Sequence, residues 1–69
     1  MTTEERIEAI QIERKQLKDT RERFYKMAAM ESDIGPAEAA KYREWAIHCE
    51  DQLFYLNGRQ IEQEATLTN

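Results

Sequence analysis

Only three of the 69 residues are glycine or proline, and two of those stand side by side in the stretch SDIGPAEA at 32–39. The sequence on either side is rich in Glu, Lys, Arg, Gln, Ala and Leu, the side chains that lose least freedom in a helix. A chain interrupted once near its middle in this way folds as two helices and a turn. Thr2 followed by Glu5 is a capping-box pattern that starts the first helix at Thr3. Pro36 suits the first position of the second helix, where its missing N–H is unpaired anyway. Glu38 follows in the first turn, where the helix dipole favours an anion. The spacing predicts helix one over about 3–32, a turn at 33–35, helix two over about 36–65 and a frayed tail at 66–69. Each helix is then ~45 Å long at ~1.5 Å per residue. Two equal helices on a short turn make an antiparallel hairpin, here a single domain over 1–69. One signal competes: Asn57-Gly58 could cap and end helix two early. The apolar rhythm runs on to Ile61, which favours a continuous helix.

Helix two carries the stronger pattern. Ala39, Tyr42, Ala46, Cys49, Leu53 and Leu56 alternate steps of three and four, the spacing of a coiled-coil seam. The small members Ala39, Ala46 and Cys49 let a neighbouring helix approach closely. Helix one answers with Thr3, Ile7, Ile10, Arg14, Leu17, Arg21, Phe24 and Ala28. The expected hairpin core is therefore Ile7, Ile10, Leu17 and Phe24 against Tyr42, Ala46, Cys49, Leu53 and Leu56. A second apolar row, Ala40, Ile47, Phe54 and Ile61, repeats every seven residues on another side of helix two. The two rows lie too far apart to face the same neighbour, and one hairpin covers only one of them. An uncovered stripe of that size marks a protein–protein contact. The expected fold is thus all-α: an antiparallel two-helix hairpin that assembles into a homo-oligomeric helical bundle. It is a four-helix bundle if dimeric, the simplest case.

Chain length points the same way, because a domain this small buries a poor fraction of its surface without disulfides, metal or partner chains. Cys49 is alone and cannot form an internal disulfide. A lone cysteine with no secretory pattern at MTTEERIEAI suggests a reducing, cytoplasmic setting. No apolar run approaches the ~18 residues of a membrane helix. Fourteen acids against ten bases give a formal charge of −4, which argues against wholesale nucleic-acid binding. The exception is local. Residues 14–26 hold Arg14, Lys15, Lys18, Arg21, Arg23 and Lys26 against only Asp19 and Glu22.

Two of those arginines, Arg14 and Arg21, fall on the seam itself. A buried unpaired charge is very unfavourable, so each must reach water or find a partner. Neither has an acid three or four residues away on its own helix. With the turn near residue 34, Arg14 faces about residue 55 and Arg21 about residue 48, where no acid is well placed. Three outcomes stay open. Both side chains snorkel past the seam; acids of another copy pair with them; or they converge on an anion, which the planar guanidinium fork suits.

Patterns for catalysis are thin. EERIE at 4–8 resembles the paired acids with which all-α nucleotide pyrophosphatases hold magnesium, but no further acids converge to complete that set, and the helix dipole alone explains acids in a first turn. Glu44 and His48 are four apart, a weak metal signal. No Gly-rich phosphate loop and no Ser/His/Asp arrangement occurs. The expectation is a non-enzymatic protein with no cofactor and no metal. In layout it resembles the small plasmid-encoded hairpin that pairs into a four-helix bundle and helps RNA loops meet. Small acidic hairpins of this kind also resemble phage and mobile-element accessory proteins that inhibit a host enzyme or sequester a signalling nucleotide. The expected role is a regulator or inhibitor of a partner protein, with Ala40, Ile47, Phe54 and Ile61 as the oligomer or partner interface. The alternative is sequestration of an anionic nucleotide or structured RNA by Arg14, Lys18, Arg21, Tyr25 and Lys26.

Overall fold

A computed structural model describes residues 1–68. It contains three helices, α1 (Thr3–Ala28), α2 (Glu31–Ile34) and α3 (Pro36–Thr68), with α1 packed along α3 as a helical hairpin. The hairpin is a rod with principal extents of 52 × 14 × 14 Å. Among the described residues no helix is long and apolar enough to cross a membrane.

The start of α1 is the capping box that Thr2 and Glu5 spell out. Thr2 Oγ1 accepts from the Glu5 N–H at 3.1 Å, and the Glu5 carboxylate accepts from the Thr2 N–H at 3.2 Å. At the other end the structure departs from expectation. α1 ends at Ala28, not near residue 32, and Glu31–Ile34 forms a separate helical turn packed against the first turns of α3. Arg43 reaches across from α3 to Glu31 at 2.8 Å and ties that turn down. The connection therefore occupies the end of the hairpin that a longer α1 was expected to fill. α3 in turn runs three residues beyond the expected end, so the tail at 66–68 is helical and only Asn69 lies outside the described residues. Gly58 interrupts nothing: α3 is continuous through it.

Gly35 is the pivot. Its N–H donates to the Glu31 carbonyl at 2.8 Å, closing α2, and its carbonyl accepts the Ala39 N–H at 3.1 Å, opening α3. Serving both helices requires φ 88° and ψ 159°, a region essentially reserved for glycine. Pro36 then takes the first helical position, where no N–H is needed.

The seam is narrow. Its buried residues are Ala28, Ala39, Ala46, Cys49, Leu53 and Leu56, with Ala39 and Ala46 at 0% exposure. Ile7, Ile10, Leu17, Phe24 and Tyr42 are half-buried along its edges. Phe24, Tyr42 and Trp45 stack as a three-ring cluster with centroids 5.5–6.1 Å apart, in the tilted and edge-on arrangements aromatic rings prefer. Among the described residues no large side chain is fully buried.

Two substitutions test this account. Gly35→Ala should lower unfolding stability by about 1–3 kcal/mol, because an alanine must hold a glycine-only conformation. Ala46→Leu should lower it by about 1–3 kcal/mol by overpacking a seam position that has no exposed surface. Denaturant titration followed by far-UV circular dichroism reads both; an unchanged midpoint for Ala46→Leu would contradict the tight seam.

Candidate functional site

The hairpin sorts the chemically notable side chains onto four surfaces: the polar end of the seam, the two open flanks, and the outer face of α3. Arg14 belongs to the first. It is half-buried on the seam, and its Nη1 donates to Gln60 Oε1 at 2.7 Å. Gln60 Nε2 in turn donates to Glu64 Oε1 at 2.8 Å, so a carboxylate stands one link behind the guanidinium. The Arg14 Nε is buried without a hydrogen-bond partner. Arg14 therefore looks inward across the hairpin to residue 60, five positions beyond the expected 55. The reach is that of the side chain: nearer the turn Phe24 packs on Tyr42 and Trp45 as the expected register requires, while the long Arg14 side chain leans toward the N-terminus of α1 and so toward the C-terminal end of α3.

Arg21 has a different setting. It is half-buried and lines an open groove of about 520 Å³ with Lys18, Glu22, Tyr25 and Glu50. The Tyr25 hydroxyl donates to Glu50 Oε1 at 2.7 Å. Acceptance of that hydrogen bond by Glu50, with partial desolvation and the carboxylate's charge, raises the Tyr25 pKa above the ordinary tyrosine value, while Arg21 pulls it back. Of the five residues expected to bind an anion or a partner, the structure thus brings Lys18, Arg21 and Tyr25 together. Arg14 turns away to Gln60, and Lys26 sits 3.8 Å from Glu22 in an exposed pair. The carboxylates of Glu22 and Glu50 offset Lys18 and Arg21, so this groove offers a phosphate no surplus positive charge.

The opposite flank is apolar. Phe24 of α1 and Trp45, His48, Cys49 and Gln52 of α3 line an open groove of about 420 Å³. Positions 45, 48, 49 and 52 share one side of α3 at helical spacing. Cys49 is buried in its floor and is a free thiol. His48 is exposed, and among the described residues no group of three His, Cys, Asp or Glu side chains could hold a metal ion.

The outer face of α3 carries the remaining apolar residues. Ile47 is 51% exposed, Phe54 82% and Ile61 58%, with Ala40 exposed in line with them. This row lies ~130° around the helix from the seam at ~100° per residue, so nothing in the hairpin reaches it. Sequence inspection passed over Gln60 and Glu50. Gln60 continues the seam rhythm one step past Leu56, a signal that would have found it; Glu50 is visible only once the register is known. Compared with protein-family models, curated proteins and solved structures, the chain matches none.

The Arg14–Gln60 contact predicts an asymmetry between its two ends. Gln60→Ala should lower stability by about 1–2 kcal/mol, because it leaves a part-buried cation with fewer acceptors. Arg14→Met should lie within about 1 kcal/mol of the parent or above it, since an apolar side chain of similar length needs no partner. A double-mutant cycle by thermal unfolding measures both. Equal losses at the two ends would contradict a structural role for Arg14.

Proposed function

We propose that the protein acts without catalysis, by protein–protein association through the outer face of α3, as a regulator or inhibitor of a partner. The observation that carries this is the row Ile47, Phe54 and Ile61, exposed on a face the hairpin does not use. Burying one such side chain contributes about 1.5–3 kcal/mol, so the row alone supplies a large part of a specific association energy. Leaving it in water gives a small soluble domain nothing and invites non-specific contact. The arrangement supports homo-oligomerisation, a four-helix bundle when dimeric, with the aromatic and basic flanks open to a further protein. A resemblance to phage and mobile-element accessory hairpins, which work by occupying a target, is in keeping with that role.

Sequestration of a nucleotide or RNA is less well supported. It needs convergent cations, whereas Arg14 is engaged with Gln60 and the groove at Arg21 contains Glu22 and Glu50.

The test is Ile47→Asp combined with Phe54→Asp. Both positions are exposed, so helical content should be retained. The associated fraction read from native mass, and the recovery of bound protein on the tagged chain relative to the parent, should each fall at least tenfold. If both are unchanged, the outer face is not an association surface.

A further inference from the structure

The outer face of α3 carries an apolar row evenly spaced about Phe54. Ile47 and Ile61 each stand seven residues from Phe54, one on either side, and all three are exposed. Gly58 lies on the same face, within the unbroken helix. Glycine is among the poorest helix formers, and a Cβ placed at 58 would meet nothing within 4 Å in its own chain. No contact of the hairpin asks for a glycine there. The surface area is also large. The chain exposes 5272 Å², where a compact protein of its 8.2 kDa exposes about 4,500 Å². The surplus belongs to the elongated 52 × 14 × 14 Å shape of a single hairpin, which leaves α3 its outer face for a partner.

We propose that a second copy of the chain covers this face, its α3 antiparallel to the first, about a two-fold axis beside Phe54 and Gly58. The proposal rests on the association role of the outer face and specifies its occupant. A two-fold interface is self-complementary: if residue i meets residue j, then j meets i. With the axis beside Phe54, Ile47 of each copy meets Ile61 of the other. The two Phe54 rings meet near the axis, where each has the bare backbone of Gly58 in the other copy beside it. A glycine is useful at that point because it leaves room for a ring against the helix. The same operation brings Arg43 of one copy opposite Glu64 of the other along one edge of the row. Arg43 donates through Nη2 to Glu31, and a guanidinium has further N–H groups to offer. A parallel two-fold sets each flank of the row against the opposite flank of the other copy, which brings Glu50 beside the other copy's Asp51 on both edges along with Arg43 beside Glu44, and the two like-charge contacts are repulsive. Charge thus favours the antiparallel form. The helices overlap over most of α3, which places the two α1 helices on the outside of a four-helix assembly.

A short bismaleimide cross-linker tests the arrangement in the full chain with Cys49→Ala, which removes the native thiol. The reporters Arg43→Cys and Glu64→Cys lie at the edge of the row and leave Ile47, Phe54, Gly58 and Ile61 in place. Antiparallel packing predicts a cross-linked dimer when the Arg43→Cys and Glu64→Cys proteins are mixed, and at least tenfold less from either alone. Adding Gly58→Leu to both should cut the mixed product at least tenfold with helical content unchanged. Cross-linking of Arg43→Cys with itself would overturn the proposal in favour of parallel pairing. Cross-linking of a Gln52→Cys reporter without the 43–64 product would overturn it in favour of the aromatic flank. A chain that stays monomeric overturns it too. The association role survives that last result if Ile47→Asp with Phe54→Asp still abolishes capture of a partner protein, so the two failures are distinguishable.

Discussion

The close approach of two helices along alanines sets the rest of this structure. Ala28, Ala39, Ala46 and Cys49 are buried where α1 meets α3, and among the described residues only Leu53 and Leu56 add bulk to the buried seam. Small side chains gain little from burial, so a seam of this kind leaves most of the apolar surface elsewhere. The large side chains are displaced to two places. Phe24, Tyr42 and Trp45 stack against one another on one flank, while Ile47, Phe54 and Ile61 lie wholly outside. A hairpin with so small a core is marginal for its size. The proposed association on the outer face would therefore add stability as well as serve a function.

The polar end of the seam is part of the same constraint. Arg14 occupies a position where an apolar residue would serve packing, and its guanidinium finds Gln60 as its acceptor across the hairpin. Sliding α3 by one turn in one direction replaces that acceptor by Leu56, whereas the opposite slide brings Gln63 or Glu64, so the contact selects against one of the two slips. A buried polar contact of this kind contributes little net stability but penalises the wrong register, as single polar residues do in coiled-coil seams. Tyr25 to Glu50 and Arg43 to Glu31 fix the same register nearer the turn. The basic stretch at 14–26 is thereby divided between a structural arginine, a charge-balanced groove and exposed ion pairs.

Much of this was legible in the residues because helical periodicity is local. The pair of helices, the cap at Thr2, the seam on α3 and the second row at 40, 47, 54 and 61 all follow from spacing within one element. The end of α1 was not legible. Ala29 and Met30 break the helix without a glycine or proline, and Glu31–Ile34 is itself helical, so composition shows no boundary there. The contact of Arg14 with Gln60 was not legible either, because a long side chain leans along its helix and meets a residue beyond the one level with it. No pattern on a single helix carries that information. Gly58 was read as a weak point of α3; in the folded chain it is an unhindered position on the apolar outer face.

The central claim is that the outer face of α3 is covered in solution. Sedimentation equilibrium of the unmodified chain over a wide concentration range tests it most directly. The account predicts a reversible transition from the 8.2 kDa chain to a species of twice that mass, with the larger form persisting at high salt because its contacts are mainly apolar. A single 8.2 kDa species at every concentration would contradict it.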